Sequence, residues 1–222
     1  IPLFILMGQF ATNGGLSRAL FQCVNNFVGH WRGGVAMAAV GACGAFGAIC
    51  GSSLATAATM GQVALPELKR FRYSGALSTG ALAAGGTLGI LIPPSVPLVI
   101  YAVLTQESMG KLFMAAVVPG VIALIGYMLV IRIVVTLNPE AGPAGPKVAL
   151  DERLRSLVNV APVIFVFLVV IVGIYAGWAN PTEAASIGVG ACGILAILNG
   201  MRKDGVVRSL LGTAEATAMI FL

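Results

Sequence analysis

The chain has 222 residues, of which 58% are hydrophobic and only 9% charged. A soluble domain carries about 25% charged residues, so this chain has too little polar surface for water and reads as a multi-pass membrane protein. Its net charge of +5 comes from basic residues scattered between apolar runs with no interleaved aromatics, which excludes nucleic acid as a partner and marks them as topology determinants.

Residues 1–12 read as the end of a span. The chain opens at Ile1 and closes at Leu222, both within apolar runs, and is read as a fragment cut at both ends. No signal peptide can be recognised, so insertion rests on the spans themselves. Residues 16–28, "LSRALFQCVNNFV", place Leu16, Leu20, Cys23, Val24 and Phe27 at helical spacing. This predicts an amphipathic helix at the membrane interface. "GHWRGG" then forms a basic turn that ends a first unit at residues 1–32.

Residues 33–66 carry no charge for 34 residues, and residues 73–106 carry none for another 34. One straight helix of that length would reach about 51 Å, against about 30 Å of hydrocarbon. Each run must therefore be two spans, a re-entrant hairpin or a broken helix. In the 33–72 unit, "GAICGSSLATAATMG" places Gly51, Ser52 and Ser53 at the centre. A hairpin with its tip there would start its second arm at Ser52 or Ser53, both good N-caps, and its free amides would favour an anion. Two thin spans packed through Gly47 and Gly51 are the alternative.

The 73–111 unit contains "GGTLGILIPPSVPLVIY". Pro93 pushes Ile92 toward extended geometry. Pro93 and Pro94 withhold two amide donors from the preceding turn. Freed carbonyls cannot face lipid and must line a protein cavity, where they, with the hydroxyls of Thr87 and Ser95, suit a hard cation such as Na+. A proline kink without a ligand is the alternative.

The remaining unit, 112–222, holds uncharged stretches at 112–131, 157–179 and 184–201, and a polar, Pro/Gly-rich loop at 137–156. Glu183 in "NPTEAA" reads as a first-turn helix residue capped by Asn180 or Thr182. Glu215, inside the last apolar segment, is an intramembrane carboxylate and so a functional candidate. Arg132 is expected to snorkel to the cytoplasmic edge.

Catalytic and metal constellations are weak. The four cysteines, at 23, 43, 50 and 192, form no CxxC, and His30 is the only histidine. A His/Cys metal site lacks its ligand cluster. No GxSxG occurs to support a Ser-His-Asp site. The chain reads as no enzyme and as needing no tightly bound cofactor.

Together "GTLGILIPPSVPLVIYAVLT", "IPLFILMG", "GHWRGG", "GSSLAT", "LFMAAVVPGVI" and "NPTEAA" resemble, in order, blocks of the large permease subunit of TRAP transporters (tripartite ATP-independent periplasmic transporters). The resemblance implies an all-α polytopic fold in the bacterial inner membrane, with a re-entrant hairpin and a proline-broken helix. The chain would be one half of an inverted-repeat elevator transporter, with its second repeat absent. The implied function is Na+-driven uptake of an organic acid, such as a C4-dicarboxylate, a sialic acid or a similar carboxylate. The implied partners are a periplasmic substrate-binding protein and a small membrane subunit. By position, substrate falls to Ser52, Ser53, Thr56, Pro94 and Ser95. The ion falls to Gly51, Ser52, Gly86, Thr87, Gly89, Pro93 and Ser95. An inverted-repeat Na+/dicarboxylate symporter that works without a binding protein shares this hairpin logic and is the alternative.

Charge sets the expected topology. "GHWRGG", "ELKRFR", the 137–156 loop and "MRKDG" lie in the cytoplasm, and "TQESMGK" and "WANPTE" outside it. Twelve of the thirteen Lys and Arg residues are then cytoplasmic, Lys111 being the exception. In the full-length carrier without native cysteines, Lys69→Cys and Gln106→Cys should label from opposite sides with a membrane-impermeant maleimide. Labelling of both from one side would overturn the arrangement.

Overall fold

A computed structural model describes residues 2–221. Within them lie ten α-helices: α1 (Pro2–Asn13), α2 (Leu16–Val28), α3 (Gly34–Cys50), α4 (Ser53–Arg70), α5 (Gly75–Leu91), α6 (Val96–Thr105), α7 (Met109–Leu137), α8 (Leu150–Tyr175), α9 (Pro181–Leu198) and α10 (Lys203–Phe221). The described residues contain no strand. Four helical stretches are long and apolar enough to cross a membrane: α5 with α6, α7, α8 and α9. The fold is an all-α polytopic membrane protein.

The amphipathic pattern at 16–28 becomes α2, with Leu16, Leu20, Phe21 and Cys23 buried and Phe27 exposed. It packs against α3 on one side and α8 on the other. The 33–66 run divides in two. Helix α3 ends at Gly51, whose φ of 63° is the left-handed value that glycine adopts without penalty. Helix α4 starts two residues later, with the Ser52 hydroxyl accepting from the Ala55 amide. Nearly every residue of α3 is buried.

Helix α5 packs on both arms of this pair. Its contact face is a strip of small residues. A Cβ on Gly85 would lie 3.0 Å from the Cys43 sulfur of α3, and one on Gly86 would lie 2.7 Å from the Ala57 Cβ of α4. Backbones approach closely where neither helix has a side chain to interpose. The contact between Gly47 and Gly89 is the tightest of this kind, since a Cβ on Gly47 would sit 2.5 Å from the Gly89 Cα.

The polar loop after α7 is strapped to the base of this assembly. The Gly33 amide donates to the Gly142 carbonyl at 2.9 Å, the Ser74 amide to Ala141 at 3.0 Å, and the Gly145 amide to Gly29 at 2.9 Å. The buried Tyr73 phenol accepts from the Val35 amide and donates to the Pro143 carbonyl at 2.9 Å. Burial pushes this phenol above its ordinary pKa, so it stays protonated and keeps donating.

Helices α1, α8, α9 and α10 form the other side of the molecule. Helix α1 packs on α9 and α10 and touches α3, and α8 packs on α9 and α2. Asn13 donates to the Ser209 hydroxyl across the α1–α10 contact at 2.8 Å. Helix α9 opens with Asn180 as N-cap, and the Glu183 carboxylate accepts from the Asn180 amide at 2.8 Å. Helix capping thus accounts for Glu183. Glu215 is exposed on α10 and Arg132 is exposed on α7.

The backbone contact between α3 and α5 gives a stability prediction. Gly47→Ala has no flexible side-chain end to push aside and should cost about 1–3 kcal/mol. Gly80→Ala, on the same α5 but with no atom within 4 Å of the added methyl, should gain about 0.5–1 kcal/mol from helix propensity. Thermal unfolding of the two variants in detergent should bracket the parent protein.

Candidate ion and substrate site

The site grows out of the break between α5 and α6. Amides of residues 93 and 94 would normally serve the carbonyls of Gly89 and Ile90, four residues earlier. Proline has no amide hydrogen to give. Helix α5 therefore stops at Leu91, and Ile92 is extended at φ −88° and ψ 120°. The chain turns through Pro93, Pro94 and Ser95, all buried, before α6 starts at Val96.

The tip between α3 and α4 closes this break. The Val96 amide, first of α6, donates to the Gly51 carbonyl at 3.1 Å. A Cβ on Gly51 would lie 2.6 Å from the Pro94 carbonyl oxygen and 3.4 Å from the Ser95 Cα. Across the tip, a Cβ on Gly89 would lie 2.6 Å from the Thr56 hydroxyl and 2.7 Å from the Ser52 carbonyl oxygen. Gly51, Gly86 and Gly89 are thus positions where any side chain would push tip and break apart.

The polar inventory at this joint is short. The Thr56 hydroxyl donates to the Ser52 carbonyl at 2.7 Å and lies 3.0 Å from the Cys50 sulfur. The Ser95 hydroxyl is 1% exposed as a residue and has no hydrogen-bond partner among the described residues. Buried hydroxyls are almost always satisfied, so this one leaves the joint with an oxygen free to accept or donate. Neutral oxygens of this kind fit a hard monovalent cation and suit no soft metal.

Two helix ends of opposite polarity meet here. The C-terminus of α5 presents carbonyls and the N-terminus of α4 presents amides. Beside the tip lies a cavity of about 260 Å³, lined by Ser52, Ser53, Ala55 and Val96, with Gln9 and Thr12 facing them from α1.

The structure brings together Gly51, Ser52, Ser53, Thr56, Gly86, Gly89, Pro93, Pro94 and Ser95. It does not bring in the Thr87 side chain. That hydroxyl donates to the Ala84 carbonyl at 2.6 Å and pairs with the Tyr127 hydroxyl of α7 at 2.9 Å. Gly86 and Gly89 face the hairpin, and residue 87 stands about 100° round the helix from residue 86. Gln9 and Thr12 are the polar lining residues that sequence reasoning passed over. Their signal was present: Ile5, Gly8, Gln9 and Thr12 recur at helical spacing within a short apolar segment.

The family model described as "Tripartite ATP-independent periplasmic transporter, DctM component" matches residues 1–222. The chain belongs to this family. It is 41% identical over 222 residues to a C4-dicarboxylate TRAP transporter large permease protein, DctM, of Pseudomonas aeruginosa, covering 99% of this chain and 52% of that protein. It is 32% identical to an ectoine large permease protein, TeaC, of Halomonas elongata, covering 100% of this chain and 52% of that one. It is 30% identical to a sialic acid large permease protein, SiaM, of Vibrio cholerae, again covering 100% and 52%. The chain thus spans about half the length of the curated relatives it matches. The TRAP relatives are permeases, so the chain is a piece of transport machinery and not an enzyme. Family membership, with four helical stretches able to cross a bilayer, places it in the inner membrane.

The cavity supplies a test of the tip. In the full-length carrier, Ser52→Leu or Ser53→Leu fills space beside the α4 N-terminus with an apolar side chain. Either change should abolish uptake while the amount of carrier in the membrane stays near the parent level. Normal uptake by both variants would remove the tip from the substrate path.

Proposed function

We propose that this chain forms one half of the transport path of a Na+-coupled importer of organic acids. The carboxylate lies against the free amides of α4 at Ser52 and Ser53, with Thr56, Pro94 and Ser95 shaping the rest of its seat. The ion lies on the α5 side, among the oxygens at Gly51, Ser52, Gly89, Pro93 and Ser95, with Gly86 allowing the close approach of α4. A periplasmic binding protein delivers the acid, and a small membrane subunit accompanies the carrier. A C4-dicarboxylate is the first substrate to test, because the 41% identical relative bears that name.

One observation carries the reading. The unpartnered, buried Ser95 hydroxyl sits where the amide end of one helix and the donor-deprived carbonyl end of another converge. An anion and a cation bound side by side there would each neutralise the other's charge. Each would also find the helix end of opposite sign. Binding of one raises the affinity for the other, which is what coupling requires. The joint is rigid, so we further propose that alternating access moves α3 to α6 as one body, in the manner of an elevator.

The test is uptake of labelled C4-dicarboxylate by the complete carrier and its binding protein in proteoliposomes. Uptake should require an inward Na+ gradient and the binding protein. Ser95→Ala deletes one ion oxygen without adding volume. It should raise the Na+ concentration for half-maximal uptake about tenfold, while the binding protein still loads substrate. Unchanged Na+ dependence in this variant would separate Ser95 from the ion. Uptake without a binding protein would favour a plain symporter.

A further inference from the structure

A second polar feature lies far from the joint, on the membrane-facing side of α7. A basin of about 400 Å³ is lined by Trp31 and Arg32 of the turn before α3 and by Arg132 and Thr136 of α7. Both guanidinium groups are exposed. Neither forms an ion pair with any described residue, the single described pair being Arg70 with Glu67. Two unpaired arginines converging on one basin ask for an anion, and the planar guanidinium fork suits a phosphate diester.

The rest of α7 says where that phosphate comes from. Ile125, Leu129, Arg132 and Thr136 recur at intervals of four, three and four residues, so they form one stripe along the helix. Ile125 and Leu129 are exposed at 51% and 55%. The stripe is apolar for two turns and then charged near the helix C-terminus. A free phosphate needs only the charged end. A phospholipid needs both, its acyl chains along Ile125 and Leu129 and its headgroup at Arg32 and Arg132. Trp31 stands 47% exposed at the same level, where an indole ring sits at a membrane–water boundary. The charge distribution of the sequence assigns this end of the bundle to the cytoplasmic face, where basic pockets between helices hold anionic headgroups.

We infer that Arg32, Arg132 and Trp31 form a binding site for the headgroup of an anionic phospholipid, seated on the Ile125–Leu129 stripe of α7. The site is independent of the proposed ion and substrate joint. At its own end of α7 the helix rests on the foot of α3, where Ile131 and Val135 pack on Gly33; contacts of α7 with the break lie further along, at Gly120 beside Ile92.

The test uses the full-length carrier purified in mild detergent and exposed to phosphatidylglycerol or phosphatidylethanolamine, with retained lipid counted by native mass spectrometry. The parent protein should keep phosphatidylglycerol in preference to phosphatidylethanolamine. Arg32→Ala with Arg132→Ala should keep about tenfold less of it. Lys69→Ala with Arg70→Ala removes the same charge from the same end of the bundle and should change retention little. Equal losses in the two double variants would reduce the effect to general surface charge and overturn the site. No loss in the pocket variant would also overturn it, the arginines then being paired by other parts of the carrier. Displacement of the retained lipid by inorganic phosphate alone would show a phosphate site and not a lipid one.

Discussion

The hydrogen bond from the Val96 amide to the Gly51 carbonyl joins the two interrupted elements of the chain. A bilayer offers no water to an open backbone, so a helix that breaks within it must hand its loose groups to another segment. Pro93 and Pro94 make the break obligatory, and the tip between α3 and α4 is the segment that receives it. Each interruption satisfies the other: the tip's Gly51 carbonyl accepts from the first amide of α6, and the break gives the tip a protein-lined place to turn. Neither would be tolerable alone at that depth.

This mutual closure dictates the composition around it. The tip can reach the break only if nothing stands between α3, α4 and α5, which is why glycine recurs at 47, 51, 85, 86 and 89. The same closeness makes the assembly stiff. Separating tip and break would expose several backbone groups at once, each costing several kcal/mol in hydrocarbon. The strap at residues 141–145 adds a second fastening at the foot of α3 and α5, through backbone bonds and the Tyr73 phenol.

Much of this was legible in the sequence because the signals were of the strongest kind. Uncharged runs too long for one span, a GSS tip and a proline pair each violate a rule of helix continuity, and the violations lie where helices end. The amphipathic α2 followed from its spacing alone. Thr87 was grouped with the ion because its hydroxyl is the obvious oxygen near the break, yet helical phase turns it to Tyr127 on α7. A list of polar residue types cannot convey phase until both neighbours of the helix are known. Gln9 and Thr12 were passed over for the opposite reason: their stripe was visible, but its partner across the cavity comes from a segment some forty positions away. The strap was unreadable, since backbone bonds from a Pro/Gly-rich loop depend on no particular side chain.

The distribution of tight and loose contacts also bears on how such a carrier can change shape. Helices α3 to α6 are joined backbone to backbone, whereas α8 reaches them through α2, and α9 and α10 through α1. The cavity beside the tip lies on this same boundary, with Gln9 and Thr12 on one wall and Ser52 and Ser53 on the other. A conformational change follows the boundary whose opening exposes the fewest unsatisfied groups. Here that boundary runs along α1 and α2, including the close approach of Gly8 to Cys50, where an added Cβ would lie 2.7 Å from the Cys50 Cα, and the hairpin joint lies wholly to one side of it. Movement along it would carry the tip, the break and anything bound between them as a unit. The lining residues of α1 would stay behind. Under the proposed function, a seat that kept its own oxygens while it exchanged the wall opposite would face two compartments without dismantling its coordination. This is the property a broken helix and a hairpin provide together, and a continuous span cannot.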